Sequence, residues 1–238
     1  MKKVILIFLL LAAAGIGYYF LSNLSFNKPS SYNIKGIDIS NQSNDPLNWD
    51  ALDGVNNFII LRAVRAVDTS QTKGEQVYIS VVDKNFDKNW SALAAKKIPR
   101  GAYHFFAPNV SAEEQFELFK KSVQLQQGDL PPIVDIENRN CDMDEVIKWL
   151  ELAKAHYKVT PILYTDYFFY KTFLAGKNKE FPLWLYYSGD FLTQPTFKDP
   201  DCVIWQYAQD QKIAGFNEKV DLNVFLGDEK AFQRLLIK

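Results

Sequence analysis

Eight short apolar runs of strand length punctuate the chain, at residues 34–39, 58–63, 101–106, 132–137, 161–165, 183–187, 202–207 and 220–225. Between several of them the apolar positions recur with a helical period, at 87–97, 111–127, 142–157 and 166–174. Ser111 with Glu114 forms a capping box for the second of these helices, and Asp142 with Glu145 can do the same for the third. Strands and helices alternating in this order, up to eight strands, predict a closed α/β barrel rather than an open doubly wound sheet. No glycine-rich phosphate loop follows the first strand, which weakens the case for a dinucleotide-binding fold.

The pattern changes in the last third. Residues 188–201 and 208–219 carry Gly, Pro, Asp and Gln without a sustained apolar stripe, so no helix is expected between the last three strands. Without a crossover helix a strand can return as a hairpin partner. The predicted fold is an irregular TIM-like barrel of five βα units followed by three loop-connected strands, the eighth free to run antiparallel. In that orientation the start of the eighth strand, where Asp221 lies, joins the ends of the others, and barrel sites are built at strand ends.

Ahead of the barrel, Lys2 and Lys3 precede an uncharged apolar run over residues 4–21. Residues 1–22 therefore read as a signal peptide or an N-terminal membrane anchor, 23–32 as a polar linker and 33–238 as the barrel domain. Small residues at 12–15 would suit cleavage, whereas Tyr18, Tyr19 and Phe20 suit an uncleaved anchor at a membrane interface. Either way the barrel is expected to be exported: anchored and facing the periplasm or cell exterior, or secreted.

Charge narrows the partners. With 27 basic and 28 acidic residues the net charge is -1, and no basic stripe exists to follow a phosphate backbone, so nucleic acid is set aside. In an oxidising compartment Cys141 and Cys202 could pair, and two buried free thiols fit equally well. His104 and His156 lack ligand spacing with a cysteine, so neither a metal nor a cofactor is expected. A monomer is the expected state.

The stretch richest in chemistry is Leu130-Pro131-Pro132-Ile133-Val134-Asp135-Ile136-Glu137. Side chains alternate faces along a strand, so Asp135 and Glu137 point the same way. Two acids on one buried face repel unless one keeps its proton, the condition a general acid needs at neutral pH. Other strand-end residues join them: Asp38, Tyr103, His104, Tyr164, Trp184, Tyr186, Gln206 and Asp221. Taken singly, each has a plain structural use, the aromatic rings as core and Asp38 or Asp221 as partners of backbone amides. Together, carboxylates walled by aromatic rings suit glycoside cleavage, where one acid protonates the leaving oxygen and another stabilises or positions the attacking side.

Many ordered motifs carry a family resemblance. Gly36-Ile37-Asp38-Ile39-Ser40 with Gln42 and Trp49, Phe58-Ile59-Ile60, Asp87-Lys88-Asn89-Trp90, Gly101-Ala102-Tyr103-His104-Phe105 and the Asp135–Glu137 stretch come first. Ile162-Leu163-Tyr164-Thr165, Pro182-Leu183-Trp184, Trp205-Gln206-Tyr207 and Val220-Asp221-Leu222-Asn223 follow. In this order they resemble glycoside hydrolase family 25, the Chalaropsis-type lysozymes. The resemblance implies hydrolysis of the β-1,4 bond between N-acetylmuramic acid and N-acetylglucosamine, with peptidoglycan glycan strands as partner. It makes Glu137 the general acid, Asp135 the nucleophile or the orienter of the substrate's acetamido group, and Asp38 and Asp221 supporting carboxylates. One departure stands out: where the family commonly has Lys-Ala-Thr-Glu-Gly, this chain has Arg62-Ala63-Val64-Arg65-Ala66. Arg65 is thereby a candidate to bind a substrate carboxylate or to pair with a site acid. Two other readings stay open, a catalytically silent glycan-binding module on the same barrel and a hydrolase of another acetamido-bearing polymer such as chitin.

Overall fold

The computed structural model describes residues 28–40, 47–52, 57–71, 77–175, 180–188, 201–214 and 216–238. The barrel belongs to the compact unit formed by Pro29–Ser188 and Asp199–Lys238. Its strands are β1 (Lys35–Ile39), β2 (Phe58–Asp68), β3 (Tyr78–Val82), β4 (Arg100–Phe105) and β5 (Ile133–Asp135), then β6 (Ile162–Asp166), β7 (Leu183–Tyr186), β8 (Cys202–Lys212) and β9 (Lys219–Phe225). The helices are α1 (Phe86–Lys96), α2 (Ala112–Ser122), α3 (Met143–Tyr157), α4 (Tyr167–Phe169, continued by a π-turn over Tyr170–Leu174) and α5 (Glu229–Leu235).

Eight strands pair in the order β1-β9-β8-β7-β6-β5-β4-β2, and β1 pairs with β2 to close the ring. All neighbours in it run parallel except β9, which is antiparallel to both β8 and β1. The reversal left open for the eighth barrel strand is therefore present, and it sets Asp221 directly opposite Asp38 in the register.

Alternation fills the ring. Phe58, Ile60, Ile133, Ile162 and Ile204 are buried in one apolar cluster with Tyr103, Tyr164 and Trp184. Each fully buried side chain of this size contributes about 1.5–3 kcal/mol. α5 closes the lower end, its Phe232 packing 5.6 Å from Phe58 and 5.2 Å from Phe225, ring centre to ring centre. Gly36 is required in β1, because any Cβ there would collide with the Phe58 ring. At the start of β4 the buried pair Arg100–Asp129 (2.9 Å) ties the floor, and the inward carboxylates gather at the upper end, where the strands finish.

The helices start where the side-chain chemistry places them. Ser111 accepts from Glu114 N (3.3 Å) at the start of α2, and Asp142 accepts from Asp144 N (2.9 Å) at the start of α3. Glu145, expected to complete a box on its own helix, instead accepts from Ala112 N (2.6 Å) and so ties α3 to α2.

Three features differ from the sequence expectation. Between β1 and β2 the described residues form a 3-10 turn, Trp49–Leu52, in place of the helix expected of a first βα unit. β2 runs on past residue 63 and pairs with β3 as an antiparallel hairpin outside the ring. Both arms of that hairpin are mostly only half-buried, so the apolar signal that marks a core strand is missing. α5 was not anticipated either, because only Phe232 of its seven residues is buried. The apolar run at residues 4–21 lies outside the described residues, and among those described no helix is long and apolar enough to cross a membrane.

Candidate active site

The upper end of the barrel holds a cavity of about 170 Å³ lined by Asp38, Asp135, Glu137 and Asp221, with Arg62, Tyr103, Tyr164, Trp184 and Gln206 among its other walls. The register explains the convergence. Asp135 sits beside Phe105 of β4 and Tyr164 of β6, Tyr164 beside Trp184 of β7, and Asp38 beside Asp221. β5 ends at Asp135, and Ile136 N still donates to Tyr164 O (3.0 Å), so Glu137 is carried just past the strand on the same face.

Two hydrogen-bond chains end on one oxygen. Trp184 Nε1 donates to Asn223 Oδ1 (2.7 Å), and Asn223 Nδ2 donates to Asp38 Oδ1 (2.7 Å). Tyr164 Oη donates to Gln206 Oε1 (2.8 Å), and Gln206 Nε2 donates to Asp38 Oδ1 (2.8 Å). Asp221 accepts from Asp210 N (2.8 Å) and is 3.4 Å from Gln206 Nε2. Asp135 is buried, and its Oδ1 has no hydrogen-bond partner.

Four carboxyl groups in so small a space cannot all ionise cheaply. Burial first, then the charge of Asp221, lifts Asp38 to about 7. Burial, then Glu137 and Asp38, raise Asp135 well above the usual carboxylate range, and Arg62 opposes this only in part. Asp221 is also raised, chiefly by burial. Glu137 stands exposed at the lip, yet protein around its carboxyl raises it, with Asp166 and Asp221 adding to the effect. An acid whose pKa is raised thus stands beside the open mouth, with the buried carboxyl groups of Asp38 and Asp135 in the wall behind it. No three of the described His, Cys, Asp and Glu side chains converge as a metal site.

Comparison with known proteins places this geometry. Residues 37–216 match the model of glycosyl hydrolases family 25. The chain belongs to glycosyl hydrolase family 25. It is a glycoside hydrolase on an irregular α/β barrel. A family 25 glycosyl hydrolase from Bacillus anthracis superposes with a TM-score of 0.72 at 28% identity, over 89% of this chain and 97% of that one. The bacterial lysozyme of Streptomyces coelicolor shares the fold, with a TM-score of 0.69 at 23% identity over 85% and 96% of the two chains. In sequence the chain is 32% identical to the YegX protein of Escherichia coli K12 over 91% of its own length and 78% of that protein. It is 24% identical to lysozyme M1 of Streptomyces globisporus, over 82% and 68% of the two chains.

Within this family 25 barrel, seven of the residues singled out from sequence line the cavity: Asp38, Asp135, Glu137, Asp221, Tyr103, Tyr164 and Trp184. Gln206 lines it too, bonded to Tyr164, Asp38, Asp221 and Gln209 of the same wall. Three others do not line it. His104 is fully buried on the outer face of β4, its Nε2 2.8 Å from Gln115 Oε1 and its ring stacked on Trp149 at 5.5 Å. It follows Tyr103 directly, so the alternation that turns Tyr103 inward turns His104 outward. Arg65 lies 3.4 Å from Asp83 and pairs there, with none of the four cavity acids. Tyr186 is half-buried above Trp184 and shares a hydrogen bond with Ser188 (2.8 Å).

Arg62 was missed. Its Nε donates to Asp83 Oδ2 (2.9 Å), and among the described residues it is the cation of the cavity wall. The signal was present: Ile60 faces the core, so Arg62, two residues on, faces the same way. Cys141 and Cys202 are both buried thiols, so the alternative of a disulfide is not realised.

Proposed function

We propose that this cavity cleaves the β-1,4 bond between N-acetylmuramic acid and N-acetylglucosamine in peptidoglycan. The carrying observation is the convergence of Asp38, Asp135, Glu137 and Asp221 on one open cavity, with Glu137 at its lip. Relatives bearing the name lysozyme support the substrate.

In this reading Glu137 gives its proton to the glycosidic oxygen as that bond breaks. Asp135 lies two residues from Glu137 on the same face, so it cannot reach the sugar from the opposite side. The acetamido oxygen of the substrate itself therefore attacks the anomeric carbon, a recognised variant of glycoside cleavage. Asp135, with unused acceptor capacity, takes the amide N–H and balances the positive charge of the cyclic intermediate. Water then opens that ring and returns its proton to Glu137, so the configuration is retained. Asp38 and Asp221 hold the polar wall in register. The apolar run at residues 4–21 fits export, with the barrel working on wall glycan outside the cytoplasmic membrane.

Full-length protein should clear a peptidoglycan suspension and release new reducing ends of N-acetylmuramic acid, identified by mass spectrometry, with retained anomeric configuration by NMR. An inverted product overturns acetamido participation. Binding without release makes the barrel a glycan-binding module, and release from chitin alone moves the substrate to another acetamido polymer.

A further inference from the structure

Two arginines hold their aspartate partners differently. Arg100 uses both arms of its fork on Asp129, with Nε 2.9 Å from Oδ1 and Nη2 3.3 Å from Oδ2. Arg62 holds Asp83 with one arm. Its Nε donates to Oδ2 at 2.9 Å, whereas Nη2, the arm that would complete the fork, is buried without an acceptor. Asp83 Oδ1 lies instead 3.4 Å from Arg65 Nε. The backbone explains why two arginines meet one carboxylate. Residues three apart on a regular strand face opposite ways. In β2 the register against β4 slips at Ala63, with Arg62 beside Tyr103 and Val64 beside His104. That extra residue returns Arg65 to the side of Arg62.

Asp83 offers one negative charge to two guanidinium groups, so a positive charge is left over at the wall that Arg62 lines. Among the described residues, Arg62 Nη2 is also the only charged donor that is buried and unpaired. Such a donor is costly to the fold and calls for an acceptor. We propose that Arg65 is a positioning residue that keeps the Arg62 fork half open, and that the open arm takes a carboxylate of the substrate. The inference rests on the muramidase reading and deepens it: the ligand is an anionic glycan, its carboxylate carried by the lactyl group of a muramyl residue or by the attached peptide. To meet it, the guanidinium turns about its bond to Asp83. The cavity's acids repel such a ligand, and Arg62 is the group of the wall that attracts it. A neutral acetamido polymer such as chitin has no carboxylate to offer.

The test measures binding without cleavage. Full-length Glu137→Gln protein is titrated by calorimetry with a stem-free tetrasaccharide of alternating N-acetylglucosamine and N-acetylmuramic acid, its lactyl methyl ester, the peptide-bearing tetrasaccharide and an N-acetylglucosamine tetramer. An anionic ligand should bind about tenfold tighter than the neutral ones. A margin for the stem-free acid assigns the carboxylate to the lactyl group, and a margin for the peptide-bearing ligand alone assigns it to the peptide. Added to this protein, Arg65→Met closes the Arg62 fork onto Asp83 and should erase the margin while leaving the neutral ligands unchanged. Arg62→Met should erase it too, the two together should lose no more than either alone, and Arg65→Lys, which keeps a cation on Asp83, should retain most of it. The proposal is overturned if no anionic ligand outbinds the neutral ones, or if Arg65→Met weakens all ligands alike, as a loosened fold would. Losses that add between Arg62→Met and Arg65→Met also overturn it, because they put the anion on Arg65 itself. A wild type that prefers the anion yet releases no reducing ends sinks the muramidase reading alone; cleavage without that preference sinks this inference alone.

Discussion

β4 divides two buried polar regions that behave in opposite ways. On its inner side Tyr103 faces the cavity of four carboxyl groups, where burial and like charge push Asp38 and Asp135 upward and leave Asp135 Oδ1 without a partner. On its outer side His104 is just as deeply buried, between α2 and α3 against Phe119 and Trp149. There Gln115 accepts from Ala107 N (2.7 Å), meets His104 Nε2 at 2.8 Å, and donates to Ala107 O (3.1 Å) and Val110 O (2.8 Å). Burial keeps that imidazole neutral, its pKa lowered to about 4. The outer cluster is uncharged: His104 Nδ1 and Trp149 Nε1 also lack hydrogen-bond partners, yet no like charge opposes them, whereas the inner one stores the repulsion of several carboxyl groups. Burial alone does not separate function from structure; uncompensated like charge does.

A large effect is expected on the inner side. Asp135→Asn should slow reducing-end release by about a hundredfold or more, while its melting temperature equals or exceeds that of the wild type, because a repelling buried charge has been removed. A variant that melts early would show Asp135 to be a structural residue like His104. On the outer side the signs exchange. Trp149→Ala removes a fully buried ring and should cost about 3–5 kcal/mol in urea unfolding, with the turnover of the molecules that remain folded unchanged. Lost turnover per folded molecule would mean that the two regions are coupled.

A smaller effect sharpens the comparison through pH. Asp38 rises from its ordinary 3.8 to about 7 in the fold, so folding favours its protonated form. The stability it contributes is complete below the ordinary value and is lost as pH rises through the folded one. Asp38→Asn should therefore melt higher than the wild type at about pH 8 and equally at about pH 4. A gain confined to the acid side would contradict the shared-proton picture of the cavity.

Much of this was legible before any coordinates. The eight ring strands follow from apolar runs, and the antiparallel β9 from the missing crossover helix before it. Asp135 and Glu137 share a face because alternation is a local rule that tertiary packing rarely overturns. The same rule, applied strictly, excludes His104 once Tyr103 faces inward, and admits Arg62 two places after Ile60. Features set by long-range partners were not legible. Arg65 meets Asp83 only because β2 carries on into a hairpin with β3, and the direction of the Tyr164 hydroxyl depends on an amide 42 positions away. α5 is only seven residues long and sets Phe232 under the barrel floor with Ala231 and Leu235 packed beside it, a stripe too short to mark a helix from sequence.

The claim on which the rest depends is that Glu137 supplies the cleaving proton. Its direct measurement is the initial rate of reducing-end release from one peptidoglycan preparation by wild-type and Glu137→Gln protein with matched melting temperatures. The account predicts a loss of about a thousandfold or more, within the range a general acid contributes. A variant that keeps its rate within about tenfold of the wild type would contradict it.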